Sequence, residues 1–222
     1  MKLNLPKDYL SYSQVSTWLR NKKQYRSMYY EKKPMYITKE IELGKKIGGQ
    51  YEMLHTEADW PVDHPVIRSI PRGTQAEYEL RFTFGDVPFL GFIDSLDLEK
   101  KSILELKTGR KTSPWTQARV NRHDQLVVYY AGVKELLGEC NPYTKLIWLP
   151  THELQSSDVI DGLEFPKSEL MLTGESEVFT RCIQHNEVIA YRNIVQQVAR
   201  EISEDWTIWS KLHPIDNYEQ EV

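Results

Sequence analysis

The chain has little cysteine and no long apolar run. Cys140 and Cys182 are the only two cysteines among its 222 residues, and two thiols so far apart are typical of a reduced cytosolic protein. Two cysteines are also too few to ligate an iron–sulfur cluster alone. No apolar run approaches the roughly 20 residues of a transmembrane helix, and the Met1 region lacks the apolar core of a signal peptide. These absences predict a cytoplasmic protein with no membrane span.

Several chemical signatures are missing as well. The sequence contains no glycine-rich phosphate loop, no Cys/His spacing for zinc and no Ser/His/Asp set. It has no internal repeat and no low-complexity tract, and its 40% apolar and 27% charged residues are ordinary for a globular protein. Nothing in the composition marks a boundary, so we expect a single domain over residues 1–222.

Positive charge is scarce in the last third of the chain. From Thr151 onward five Lys/Arg stand against fourteen Asp/Glu, whereas the first 150 residues carry a net charge of +5. One basic cluster of the first part comprises Arg110, Lys111, Arg119 and Arg122. Such a cluster can contact phosphates even on an acidic protein, although a solvated basic face has the same pattern.

Hydrophobic spacing predicts alternating helices and strands. The predicted elements are, in order, a helix capped at about Ser13, a helix over 40–58, a three-stranded meander over 76–85, 87–99 and 102–109, a helix from Ser113 to Gly138, and a strand over 144–154. The remainder, from about Thr151, reads as mostly helical and acidic, with a loose tail after about Trp209. This order predicts an α/β fold with a mixed central β-sheet flanked by helices and a helical C-terminal part.

Two acids and a lysine interrupt the apolar pattern of the meander. Side chains alternate along a strand, so Glu105 and Lys107 share a face. If 100–101 is a two-residue hairpin loop, Asp94 lies opposite Lys107 and diagonal to Glu105, with backbones about 7 Å apart. Two carboxylates so placed suit a hard divalent cation. A buried ion pair that only satisfies itself is the alternative, because E-x-K alone is a weak pattern.

These residues, taken in order, resemble the PD-(D/E)XK nuclease superfamily. The stretch Gly91–Asp94 is similar to the G-x-x-D form of its RecB-like branch, and Glu105–Lys107 to the (D/E)-x-K core. Downstream, Gln125–Tyr129 is similar to the branch's Q-h-x-x-Y motif, which places Gln125 and Tyr129 on one helix face. The resemblance covers about residues 10–150.

The resemblance implies a restriction-endonuclease-like core over about residues 10–150, followed by a helical acidic extension over about 151–222. It implies Mg²⁺ or Mn²⁺ on Asp94, Glu105 and the backbone carbonyl of Leu106. Lys107 would activate water or stabilise charge, and the Gln125–Tyr129 pair would position the DNA strand. The DNA-binding set that it implies is Arg110, Lys111, Arg119 and Arg122.

A further metal ligand is expected on the helix over 40–58. The stretch Gly48–Glu52 resembles the G-x-x-x-E form of the branch, which makes Glu52 the candidate and His55 the fallback. An alignment that starts at Gly44 instead puts Gly48 where many relatives have His, and Glu52 also fits a solvated helix acid. Relatives with an iron–sulfur cluster have a Cys that is absent here from Asn21–Tyr25, so no cluster is expected.

The resemblance implies a metal-dependent DNA nuclease, and the Q-h-x-x-Y motif favours an exonuclease. It would act in recombination, repair or phage DNA processing, with DNA as substrate and with a homo-oligomer or a repair protein as further partner. The rival hypothesis is a non-catalytic nucleic-acid-binding or assembly module on the same fold. The intact acids and lysine argue against this rival.

Overall fold

The computed structural model describes residues 3–138, 141–160 and 163–213. For residues 158–160 and 163–166 it describes the backbone alone. Its elements are α1 (Tyr12–Arg20), α2 (Lys22–Tyr29), α3 (Lys39–Thr56), α4 (Val66–Ser69), β1 (Gln75–Phe84), β2 (Val87–Asp97), β3 (Ser102–Arg110), α5 (Gln117–Val120), α6 (Asp124–Leu137), β4 (Tyr143–Ile160), β5 (Leu163–Leu172), β6 (Glu177–Arg181) and α7 (His185–Leu212). None of the helices in this part of the chain has the length and apolar character needed to cross a membrane.

Within the described residues, six strands form one mixed sheet in the order β1-β2-β3-β4-β5, with β6 also paired to β4. The β2–β3 pair is antiparallel and the β3–β4 pair is parallel. Strand β4 is antiparallel to β6 through its first half and to β5 through its second half. The parallel β3–β4 pair needs a crossover, and α5 and α6 supply it. The predicted mixed sheet flanked by helices, in a restriction-endonuclease-like arrangement, is confirmed.

The turn between β2 and β3 is longer than predicted. It takes the four residues 98–101 rather than a two-residue loop at 100–101. The carboxylate of Asp97 closes it, because the backbone N–H of Lys100 donates to Asp97 Oδ1 at 2.9 Å. Lys101 follows in the left-handed region, with φ of 52°. A buried aspartate thus stabilises a wider turn than the paired lysines suggested.

The wider turn shifts the pairing of β2 with β3. Ser95 pairs with Leu104, so the predicted register, with Asp94 opposite Lys107, is wrong by two residues. Continuing this pairing by one residue puts Asp94 opposite Glu105 instead. A shift of two leaves every side chain on its predicted face, and the two acids come closer together than predicted.

Gly73 packs directly against β2. A Cβ atom there would lie 2.5 Å from the carbonyl carbon of Leu96, and the Gly73 N–H donates to Ser95 Oγ at 2.7 Å. We therefore expect Gly73→Ala to lower the free energy of unfolding by about 1–3 kcal/mol, measured by urea denaturation. The control is Gly48→Ala within α3, where a Cβ meets no described atom within 4 Å. That control should gain about 0.5–1 kcal/mol, and equal losses in both variants would contradict the explanation.

The predicted N-terminal helix is two helices. Its cap is Ser11 rather than Ser13, since Ser11 Oγ accepts the backbone N–H of Gln14 at 3.3 Å. Asn21 ends α1 with an extended backbone and caps α2, accepting the N–H of Gln24 at 3.0 Å. Asparagine favours helix caps over helix interiors, so Asn21 divides the predicted helix in two.

The predicted long helix is divided in the same way. Thr116, rather than Ser113, caps α5, and its Oγ1 accepts the N–H of Arg119 at 3.2 Å. The chain leaves the helical path at 121–123, and α6 starts at Asp124. The predicted end at Gly138 is confirmed, with φ of 73° at this glycine.

The prediction of a mostly helical chain from Thr151 is wrong up to Arg181. The described part of this segment contains the second half of β4 and the strands β5 and β6, and the helix α7 follows it. Residues 152–157 are exposed on both faces of β4, so they show no apolar alternation that would identify a strand. Of the predicted loose tail after Trp209, residues 214–222 lie outside the described part of the chain.

The chain divides into two compact units. The first takes residues 1–35, 81–91 and 185–222. Within its described residues, Trp18 Nε1 donates to Glu201 Oε2 at 2.9 Å. Burial of the Trp18 ring, 2% exposed, joins α1 to α7 inside this unit.

The second unit takes residues 36–80 and 92–184. Its core includes Ile47 and Tyr51 of α3, packed with Leu104 and Ile147 of the central strands. Every residue predicted to form the functional site belongs to this unit.

Candidate active site

The site is built on an acid pair at the centre of two neighbouring strands. Continuing the antiparallel pairing one residue beyond Ser95–Leu104 puts Asp94 of β2 opposite Glu105 of β3. Asp94 Oδ2 accepts the backbone N–H of Leu106 at 2.5 Å, which fixes its carboxylate. Glu105 is 1% exposed, and its Oε2 atom has no hydrogen-bond partner among the described residues. A buried acceptor of this kind has unused capacity for a ligand.

Lys107 does not balance the burial and mutual repulsion of the two carboxyl groups, Asp94 and Glu105. Burial raises the pKa of Asp94, although Lys107 and the Leu106 N–H oppose that rise. Burial together with the charge of Asp94 raises the pKa of Glu105 to about 8, and the nearby ammonium of Lys107 does not offset it. Two carboxylates that share one site favour a bound proton or cation.

Lys107 is held at one end of a chain of hydrogen bonds. Its Nζ lies 2.5 Å from Glu105 Oε1 and donates to Gln125 Oε1 at 3.0 Å. Gln125 Nε2 donates to the Tyr129 hydroxyl at 2.8 Å, and this hydroxyl donates to the Phe92 carbonyl at 2.5 Å. The i,i+4 pair of α6 therefore orients the lysine beside the acids.

The side chain of Tyr129 is buried, and its hydroxyl forms hydrogen bonds only with protein groups among the described residues. It is 4% exposed, and burial raises its hydroxyl pKa far above the ordinary value. Its hydroxyl fixes the amide of Gln125, which reaches Lys107. The structure brings the predicted pair to the lysine, while the predicted contact of Tyr129 with DNA has no exposed group to make it.

A cleft of about 520 Å³ opens over Asp94, and Glu105 is buried next to its lining, in contact with Lys107. Asp94, Leu106 and Lys107 form its floor on the sheet, and Glu52 of α3 and Glu77 of β1 line it as well. All of these side chains belong to the second unit. A space of this size accommodates a phosphodiester group with its cation and water.

The two candidates for a further ligand are placed differently. Glu52 lines the cleft, and its charge helps to raise the pKa of Glu77. His55 hydrogen-bonds through both ring nitrogens, to the Tyr51 carbonyl and to Ser95 Oγ, each at 2.9 Å. Both ring nitrogens of His55 are therefore used in hydrogen bonds within the protein, so neither is available to bind a metal in this arrangement.

Glu77 is a site residue that the sequence reasoning missed. It lines the cleft, and its pKa is raised first by burial and then by Asp94 and Glu52. Its backbone has φ of 43°, a left-handed conformation that is uncommon for glutamate. Glu77 and Glu79 look alike in the alternating pattern of β1, so no sequence signal separated them.

Two of the predicted DNA-binding residues carry acidic partners. Arg110 donates to Glu40 Oε1 at 2.8 Å and 3.1 Å. Lys111 Nζ donates to both carboxylate oxygens of Glu175, at 2.8 Å and 3.0 Å. Both pairs are exposed, so solvent screens them. Phosphate binding by either residue would have to displace a carboxylate.

The other two predicted DNA-binding residues are exposed near the start of α6. The guanidinium of Arg119 lies 4.1 Å from the centre of the Trp115 ring, in a cation–π arrangement. Arg122 Nε donates to the Ala118 carbonyl at 3.2 Å. Arg122 lies in the break between α5 and α6.

The donor set fits a hard divalent cation. Asp94, Glu105 and the Leu106 carbonyl offer only oxygen, which suits Mg²⁺ or Mn²⁺. The free Oε2 of Glu105 supports the fit. Among the side chains that the structure describes, no three from His, Cys, Asp and Glu form a preformed metal cluster. In this arrangement a cation would be held by the acid pair, the carbonyl and oxygens from outside the protein, and Glu52 would have to move closer to bind it.

Comparison with known families identifies the chain. A family model of the PD-(D/E)XK nuclease superfamily matches residues 50–211, which include the acid pair, Lys107 and Gln125. A comparison with curated proteins gave no match. The match continues past Pro150 through β5 and β6, beyond the limit that the motifs alone indicated. Because the match covers well over half of its length, the chain belongs to the PD-(D/E)XK nuclease superfamily.

Proposed function

We propose that this protein is a Mg²⁺- or Mn²⁺-dependent deoxyribonuclease that acts as an exonuclease. The observation that carries the proposal is the placement of Asp94 and Lys107 on the floor of an open cleft, with the buried Glu105 in contact with Lys107. In a self-satisfied ion pair Lys107 would offset the burial of Glu105, whereas burial and the charge of Asp94 still raise the pKa of this carboxyl to about 8. Superfamily membership supports the reading as a nuclease.

Asp94, Glu105 and the Leu106 carbonyl would hold the cation, and Glu52 would add a carboxylate from the wall of the cleft. When bound, a divalent cation supplies positive charge to the scissile phosphate and acidifies a water molecule. The backbone N–H of Leu106 keeps the Asp94 carboxylate in place. The oxygen ligands therefore lie on two hydrogen-bonded strands, β2 and β3, rather than on loops.

Lys107 would act on the reacting phosphate directly. Its ammonium is positioned by Glu105 Oε1 and Gln125 Oε1 and reaches the cleft. There it stabilises negative charge that develops on phosphate oxygens or orients the attacking water. Arg119 and Arg122 are exposed and would bind phosphates of the substrate; Arg110 and Lys111 would do so after exchanging their acidic partners.

The exonuclease assignment rests on the Q-h-x-x-Y resemblance. The proposed setting is recombination, repair or phage DNA processing in the cytoplasm, with a second copy of the chain or a repair protein as partner. These finer points are supported by sequence resemblance alone, and each depends on the nuclease activity.

The test is cleavage of matched linear and circular DNA with Mg²⁺ or Mn²⁺. We expect the linear substrate to be degraded, the circular one to persist, and EDTA to stop the reaction. Asp94→Asn is the negative control for a contaminating nuclease. If wild type and Asp94→Asn behave alike on both substrates, the enzyme proposal fails and a non-catalytic binding module remains. Degradation of the circle would instead overturn the exonuclease assignment.

A further inference from the structure

A buried arginine outside the motifs contacts the segment that carries Gln125. Arg181, on β6, is 4% exposed. Its Nη1 donates to the His123 carbonyl at 2.7 Å and to the Val120 carbonyl at 3.4 Å. Its own backbone carbonyl accepts the Thr144 hydroxyl at 2.5 Å, which ties it to β4. The guanidinium therefore extends from the sheet to the crossover.

The two carbonyls that Arg181 contacts mark the break between the helices of the crossover. Val120 is the last residue of α5, and His123 precedes the first residue of α6. Each of these carbonyls also accepts a backbone N–H, that of His123 at 3.0 Å for Val120 and that of Leu126 at 3.1 Å for His123. A carbonyl oxygen has two lone pairs, so Arg181 adds a second donor to each. A second contact from β6 supports the same segment, because Gln117 Nε2 donates to the Thr180 carbonyl at 2.8 Å.

The break determines where Gln125 stands. Gln125 is the second residue of α6, so the direction of the helix start sets the position of its amide. The Oε1 atom of this amide accepts a hydrogen bond from Lys107 Nζ at 3.0 Å. The ring of His123 lies beside it: burial lowers the pKa of His123 to about 4, and a hydrogen bond with Gln125 opposes that fall. A neutral imidazole next to Gln125 adds no competing charge at neutral pH.

We propose that Arg181 is a positioning residue for the reaction, which fixes the start of α6 so that Gln125 holds Lys107 in the cleft. The proposal rests on the nuclease function proposed above. Arg181 touches no reacting atom and acts through backbone carbonyls. A displacement of about 1 Å at a reacting group can cost about 10²-fold in rate, so a residue of this kind can matter for turnover.

The test is a double-mutant cycle in the full-length protein. We expect Arg181→Met to lower kcat about tenfold, with KM for linear DNA within about twofold of wild type. In a Gln125→Ala background the same change should lower kcat by no more than about twofold, because the two residues act on one path. A tenfold loss in both backgrounds would overturn the proposal, since it would show an effect independent of Gln125.

Arg68→Met is the matched control. Arg68 also donates to backbone carbonyls, those of Ala58 at 2.6 Å and Trp60 at 2.6 Å, and lies in the same unit. It should lower Tm without changing kcat. If it lowers kcat as much as Arg181→Met does, the kinetic effect is one of general destabilisation and the proposal fails. Arg181→Lys, which keeps one donor, should recover kcat to within about threefold of wild type.

Amide hydrogen exchange gives a readout that needs no activity. Arg181→Met, or Arg181→Lys if the methionine variant does not fold, should exchange faster than wild type at residues 121–126. Arg68→Met should not. Unchanged exchange at 121–126 would overturn the inference even if wild type cleaves DNA. An inactive wild type would instead overturn the nuclease proposal on which the inference rests, whatever the exchange.

Discussion

Lys107→Met is expected to lower kcat for DNA cleavage by about 10²–10³-fold. The ammonium lies 2.5 Å from Glu105 Oε1 and 3.0 Å from Gln125 Oε1, so two acceptors fix it at the floor of the cleft. Methionine has a similar length and fills the same space without charge. Single-turnover cleavage of end-labelled linear DNA with saturating Mn²⁺ separates this loss from any loss of affinity.

Lys45→Met provides the control for Lys107. Lys45 also lines the cleft, but it belongs to α3 rather than to the strand with the acids. We expect its loss to weaken DNA affinity at most and to leave kcat within about twofold. Equal losses of kcat in the two variants would mean that the net charge of the cleft matters, and not the placement of Lys107.

Glu105→Gln is expected to have two effects of opposite sign. Cleavage should fall by about 10²–10³-fold because a cation ligand is lost. In the absence of metal and at neutral pH the free energy of unfolding should rise by about 1 kcal/mol or more, because glutamine removes the cost of protonating on folding a carboxyl whose pKa is raised to about 8. The new amide can donate to the Asp94 carboxylate. A variant that loses both activity and metal-free stability would contradict the assignment of Glu105 as an uncompensated acid.

The same substitution gives a prediction for pH dependence. The pKa of Glu105 is raised from 4.5 to about 8 in the folded protein, so between these values the folded state binds more protons than the unfolded state. The stability of the metal-free protein should therefore fall as pH rises through this window. Asp94, whose pKa is also raised, contributes in the same direction.

Urea denaturation in EDTA at several pH values between about 5 and 8 measures this slope. Glu105→Gln should flatten most of it, and Mn²⁺ should stabilise wild type most at the alkaline end, where a cation displaces the fewest protons. Parallel slopes in wild type and variant would show that other groups govern the dependence.

The convergence of Asp94, Glu105 and Lys107 could be predicted from the sequence because side chains on a strand keep their faces when the register shifts by two residues. The turn at 98–101 is two residues longer than assumed, yet a slip of two keeps all three side chains on one face. The i,i+4 spacing of Gln125 and Tyr129 is similarly local. Strand alternation and helix spacing depend only on residues close in sequence, and these two patterns are enough to predict the candidate site residues.

What the sequence could not predict depends on contacts between distant residues. The break at 121–123 is held by Arg181, about 60 positions further on. The left-handed backbone of Glu77 places a further acid in the cleft, and no residue preference favours that conformation for glutamate. The second half of β4 is exposed on both faces, so its pairing with β5 has no apolar signature.

The place of β6 in the sheet has a consequence for shortened versions of the chain. Residues Thr144 to Trp148 of β4 pair with β3 on one side and with β6 on the other. A chain ended after Pro150 would keep every nuclease motif but would leave that side of β4 as a bare edge. Unpaired backbone groups beside a row of apolar side chains recruit strands from other molecules. Such a fragment is expected to aggregate, so the last third of the chain also keeps the sheet soluble.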